Sequence, residues 1–298
     1  MARPGQGEAL AVWAMWGLMS LVVLVTYSRL DPSDLYNVSR EGLGGGLGRS
    51  VVLLNFPIVF VAVALALVAV ATLPGKAWFA AGPVIASCVL VPWIVDEDDL
   101  DVRPANAIPA LGVAIALVLT LAAARRAGTG FARWRAGDRV RIGIAVLVLL
   151  LSLPWISAGL GFHFPGDLFM GEEPYPEPDG TVIDAVHLGH HHGMDGSLLV
   201  LTVLLLSRVR VPQRGLRLAL TGYLGLMFSY GAVNLVQDLW LEQVVKRGWT
   251  DERIPSALLP GVRPIWLVIL LLAAAATLVL LRERERSSPV TPASYSVP

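Results

Sequence analysis

The chain has 298 residues, 23 basic and 23 acidic, with a mean hydropathy of +0.65. Hydrophobic residues make up 55% of it and charged residues 15%, whereas a soluble domain carries about a quarter charged residues. This composition excludes a soluble globule, the zero net charge excludes a general nucleic-acid binder, and the single cysteine, Cys88, excludes an internal disulfide framework or a cysteine-only metal site.

Uncharged runs of bilayer length predict an all-α integral membrane protein with eight spans: 9–27, 51–73, 77–95, 108–124, 142–160, 188–207, 218–236 and 264–281. The first run is too long for a secretory h-region and lacks a small-x-small cleavage site, so it is expected to be an uncleaved helix. With the N-terminus inside, the cytoplasmic segments hold 15 Arg and Lys against four acids, and the outward segments hold eight against 19. That split follows the positive-inside rule and places both termini in the cytoplasm. Residues 1–281 are expected to form a single transmembrane domain, and 282–298 a disordered cytoplasmic tail. Arg outnumbers Lys 21 to two; with the abundant Ala, Leu and Val, this points to a bacterial plasma (inner) membrane.

Gly42–Gly48 looks like a phosphate loop but lacks the Lys-Ser/Thr that would follow; it is expected to be a flexible entry into the second span. The acidic run Asp96–Asp101 is expected to be a solvated, topology-enforcing loop. No charge lies deep within any span as drawn, which argues against a proton-driven transporter or a voltage sensor.

All five histidines, His163, His187, His190, His191 and His192, fall in one outward 30-residue window. On a helix, His187, His191 and Asp195 recur at i, i+4 and i+8, with His190 and Met194 on the same stripe and His192 about 100° away. A helix that crosses about 30 Å and ends at Ser207 must begin near Leu188, placing these residues at the outer membrane surface. Gly189, Gly193 and Gly196 weaken helicity, so an irregular loop dipping into the bundle is the alternative. The run His187-Leu-Gly-His190-His191 resembles a single His-x-x-His-His box of the membrane desaturases, which carry several such boxes on separate helices.

Imidazoles with a carboxylate suit zinc first, and copper or iron otherwise. The expected ligands are His187, His190, His191 and Asp195, completed from His163, Glu172, Glu173 or Asp238. Asp238 shares a helix face with Asn234 and with Glu242, at the same membrane level as the histidines. Glu172 or Glu173 is the expected catalytic base. The function this pattern points to is a metal-dependent enzyme acting on a lipid or lipid-linked substrate at the outer leaflet, by activating a water or polarising a carbonyl. The alternatives are a non-catalytic metal-binding or metal-transport protein, with Met170 and Met194 favouring copper, and a scaffold subunit.

Overall fold

Ten helices and one small hairpin make up the computed structural model, which describes residues 5–36, 38–95, 100–166, 168–176, 182–258 and 262–286. The helices are α1 (Gly7–Arg29), α2 (Gly42–Asn55), α3 (Ile58–Val70), α4 (Ala77–Ile94), α5 (Ala107–Ala127), α6 (Asp138–Leu151), α7 (Leu153–Leu160), α8 (His192–Leu206), α9 (Arg214–Trp240) and α10 (Pro264–Arg286). Strands β1 (Gly171–Pro176) and β2 (Val182–Val186) pair antiparallel between α7 and α8.

Five helices are long and apolar enough to cross a membrane: α1, α4, α5, α9 and α10. The pairs α2/α3 and α6/α7, bent by 52° and 54°, raise this to seven if each is one span. The expected second and fifth spans are therefore broken. Pro57 and Pro154 lie at the breaks; proline offers no N–H to the helix and its ring crowds the preceding turn. The expected sixth span is shorter than drawn, because α8 has only 15 residues, about 22 Å of rise.

Burial follows helix composition. Every residue of α3 except Phe60 is buried, consistent with an all-round apolar helix at the centre of the bundle. The outer helices instead expose large apolar groups, including Phe79 and Trp93 on α4, Leu147 and Leu150 on α6, and Leu267 and Leu271 on α10. Polar side chains link helices inside: Trp16 Nε1 donates to Thr202 Oγ1 at 2.9 Å and Trp13 Nε1 to Thr120 Oγ1 at 3.0 Å. Helices α8 and α9 meet at two glycines. A Cβ on Gly196 would stand 2.5 Å from the Gly231 carbonyl, and one on Gly231 2.7 Å from the Gly196 carbonyl. That close approach brings the start of α8 against the end of α9.

Gly42–Gly48 is not a flexible entry, as the sequence suggested, but the first two turns of α2. The glycines are needed for contact with α1: a Cβ on Gly46 would lie 2.0 Å from Ser28 Oγ and 2.4 Å from the Leu24 carbonyl. Tertiary packing here overrides the poor helix propensity of glycine. Because α2 starts early, Arg49 sits on a helix, two turns in.

At the end of the bundle holding the start of α1, charges are paired. Arg208 bridges Glu8 at 3.3 Å and Asp138 at 3.2 Å, and Arg141 pairs with Asp138 at 3.2 Å and Glu283 at 2.6 Å. This last contact extends α10 through Arg286, into the segment read as tail; residues 287–298 lie outside the described residues, as do 96–99 of the acidic run.

Candidate metal centre

The opposite end of the bundle gathers the residues singled out in the sequence. It is built from the C-terminal ends of α7 and α9, the start of α8 and the segment after α1; this last contribution had no signal in the histidine pattern.

The continuous helical stripe from His187 to Asp195 is not formed. Helix α8 begins at His192, and His191 is its N-cap residue with extended backbone (φ −116°, ψ 153°). Two contacts and one backbone conformation hold the preceding segment out of a helix. Leu188 bridges to Leu35, the Gly189 N–H donates to the Ala158 carbonyl at 2.9 Å, and Gly189 adopts φ +105°, which glycine alone takes readily. His187 and His191 still meet, but through this loop: their rings stack with centroids 4.3 Å apart.

His191 is 4% exposed and points to α9. Its Nδ1 lies 2.5 Å from Glu242 Oε1, and its Nε2 lies 2.9 Å from the His187 carbonyl. A carbonyl only accepts, so Nε2 carries the hydrogen and Nδ1 faces the carboxylate. Asp238 and Glu242 are also buried, at 8% and 4% exposure. Their outer oxygens are held in place: the Gly193 N–H donates to Asp238 Oδ2 at 2.6 Å, and Trp155 Nε1 donates to Glu242 Oε2 at 2.7 Å. Glu242 lies on a π-helical turn, Leu241–Val245, that continues α9 and alters the facing of its side chains. One ligand atom from each of His191, Asp238 and Glu242 falls within 4.8 Å of the other two.

Burial is also the main electrostatic influence. It pushes His191 down to about 4, opposed by the Asp238 charge, and pushes His187 down to about 3, reinforced by His191. Both rings are thus neutral near pH 7. With Nε2–H committed, a neutral His191 leaves its Nδ1 lone pair to accept a proton from Glu242. One shared proton therefore sits where a cation would bind.

The other expected residues fall around this group. Asp238 provides the contact from a second helix. His187 lies behind His191; its Nδ1 faces the Leu188 carbonyl at 2.9 Å, so a neutral ring keeps its lone pair on Nε2. It also lines a pocket of about 230 Å³ with Asp34, Tyr36, Pro174, Val182 and Asp184. His190 and Asp195 form a separate pair, Nε2 to Oδ1 at 2.6 Å. His192 is exposed, as is His163 in the segment between α7 and β1. Glu172 and Glu173 belong to β1, whose Pro174 borders the pocket. Met170 packs with Ala158 and Val186, and Met194 against apolar core residues. Glu242 was visible in the sequence only as a face-mate of Asp238, and Trp155 gave no signal at all.

No protein-family model matches the chain, and no curated protein or solved structure is significantly similar to it.

Proposed function

We propose that this chain is a multi-pass protein of the bacterial plasma (inner) membrane, with about eight spans and both termini in the cytoplasm. His191, Asp238 and Glu242 bind a divalent transition metal near its outer face, and the protein is a metal-dependent enzyme acting on a lipid or lipid-linked substrate at the outer leaflet. The exposed apolar faces of the outer helices and the distribution of Arg and Lys support the membrane reading.

The observation that carries the metal reading is the convergence of one imidazole and two carboxylates in a buried place. Each of the three is fixed by an outer hydrogen bond: His187 O for His191, Gly193 N–H for Asp238 and Trp155 N–H for Glu242. Such outer bonds are how proteins orient metal ligands. One nitrogen and two oxygens suit zinc, with iron next. Three protein ligands leave a fourth tetrahedral position, the pattern of catalytic rather than structural zinc. Both methionines lie in apolar packing, which removes the feature that favoured copper handling.

The neighbouring pocket offers room for a polar headgroup. A base comes from Glu172 or Glu173 of β1. The test is to assay purified protein on a panel of phospholipids and lipid-linked sugars, with zinc and after chelation. Turnover that needs the metal and is lost in Glu242→Gln supports the enzyme. Tightly bound metal without turnover of any substrate favours the non-catalytic metal-binding reading, and absence of bound metal overturns both.

A further inference from the structure

A second buried polar group lies between α1, α2 and the start of α8, on the opposite side of the His190–His191 segment from α9. At its centre is Arg49, which is 7% exposed. Buried arginines normally sit against carboxylates, and even the partly exposed Arg141 and Arg208 do so at the other end of the bundle. Arg49 makes no ion pair or hydrogen bond among the described residues, and its Nε is fully enclosed without a partner. Its guanidinium instead lies over the Tyr27 ring, 5.7 Å from the centroid, a contact that only partly offsets loss of water.

Among the described residues, two hydroxyls near it lack acceptors, and one enclosed acceptor, the His190 Nδ1 lone pair left when Nε2–H is given to Asp195, lacks a donor. Tyr27 is 1% exposed; its oxygen accepts the His190 N–H at 3.0 Å, and its own hydroxyl hydrogen has no acceptor among the described residues. Ser28 Oγ is buried without a partner. It faces Gly46, which shares a face of α2 with Arg49 at i, i+3. The nearby carboxylate of Asp195 gives its Oδ1 to His190 rather than to Arg49. His192, the first residue of α8, lies within electrostatic reach of Asp195, His190 and Arg49.

We propose that Arg49, Tyr27 and Ser28 form an anion site that takes a phosphate group, between α1, α2 and the start of α8. A guanidinium fork and two hydroxyls on three side chains offer about four donors, which would saturate both oxygens of a planar carboxylate, whereas a tetrahedral phosphate spreads the same bonds over three or four oxygens. Two sources share this chemistry: free phosphate and the headgroup of a phospholipid. The site is separate from the proposed metal centre and does not depend on it.

The experiment is a thermal-shift titration of the full-length protein in a phosphate-free maltoside detergent, with chelator present so that phosphate cannot act through a metal. Inorganic phosphate and short-chain phosphatidate are the probes, with chloride and acetate as controls. Saturable stabilisation of the wild type by either probe is expected, at least tenfold weaker in Arg49→Gln. Stabilisation by both probes assigns the site to phosphate itself; stabilisation by phosphatidate alone assigns it to a lipid headgroup. Arg49→Lys keeps the charge but loses the fork, so it is also expected to bind about tenfold more weakly, and it serves where Arg49→Gln does not fold. No saturable shift in the wild type, or equal affinity in the Arg49 variants, overturns the proposal.

Discussion

Nδ1 of His191 and Oε1 of Glu242 lie 2.5 Å apart, a contact between the N-cap of α8 and the π-turn that follows α9. Because Nε2–H of the same ring is given to the His187 carbonyl, this contact calls for one proton between the two atoms, which a metal bound as proposed would displace. Metal uptake by the apoprotein is therefore expected to release at least one proton per ion. Titration of zinc in two buffers of different ionisation enthalpy measures this number, and a value near zero would contradict the shared-proton arrangement.

Glu242→Gln retains the size of the side chain but loses the anionic ligand, so metal binding is expected to fall by two orders of magnitude or more. Trp155→Phe removes only the N–H given to Oε2. Loss of such an outer partner weakens metal binding by about 10- to 100-fold. Competition with a fluorescent chelator ranks the two variants; Trp155→Phe equal to wild type would mean that the indole does not orient Glu242.

The contrast between His191 and His192 no longer rests on a helical stripe. His191 is buried against Glu242, and His192 is exposed on the far side of the N-cap. His191→Ala is expected to lose the bound metal and His192→Ala to keep it, as measured by metal content after gel filtration. Equal losses would mean a loosely scavenging histidine segment.

Burial holds His187 near 3 and His191 near 4, below the value of about 6.5 of a free imidazole. The folded chain therefore binds fewer protons than the unfolded chain between these values. The stability that the neutral rings contribute is complete above about pH 6.5 and is lost as the pH falls towards about 4. Thermal unfolding of the metal-free protein is expected to shift to lower temperature on going from pH 7 to pH 5, less steeply in His187→Gln. An unchanged slope in that variant would contradict the depressed His187 value.

Apolar helices were legible because bilayer-length apolar runs survive any packing detail, although five to seven helices, not eight, are long and apolar enough to cross a membrane among the described residues; the histidine window lies at the end of the bundle that holds His191, Asp238 and Glu242. The breaks in the second and fifth spans were not drawn, although a proline lies at or beside each, Pro57 and Pro154. The shape of the histidine segment was not. Periodicity favoured a stripe from His187 to Asp195, but the Ala158 carbonyl and Leu35 hold residues 188–189 out of a helix, and both partners are distant in sequence. Gly42–Gly48 misled for the same reason, since its helix depends on the surface of α1. Asp238 and Glu242 were visible as face-mates, whereas the precedence of Glu242 follows from Trp155 and the π-turn, which leave no pattern in the chain.

At the other end, Asp138 is 1% exposed and meets both Arg141 and Arg208. Both arginines are partly exposed, which screens the pair, so Asp138→Asn is expected to cost on the order of 2 kcal/mol, below the range for a fully buried pair broken on one side. Chemical unfolding in mixed micelles reads this directly. No change would place the network among the neutral surface pairs. Reporter fusions after Gly128 and Arg286 are expected to report the cytoplasm, and fusions within residues 172–179 the outside; the reverse would place the metal centre on the cytoplasmic face.

The most direct measurement is metal content per chain of the purified protein, followed by X-ray absorption at the edge of any metal found. The account predicts one tightly held ion per chain with one imidazole nitrogen and oxygen donors at about 2.0–2.2 Å, and loss of that signal in both His191→Ala and Glu242→Gln. A wild-type protein without stoichiometric metal, or a spectrum dominated by several imidazoles that persists in Glu242→Gln, would contradict it.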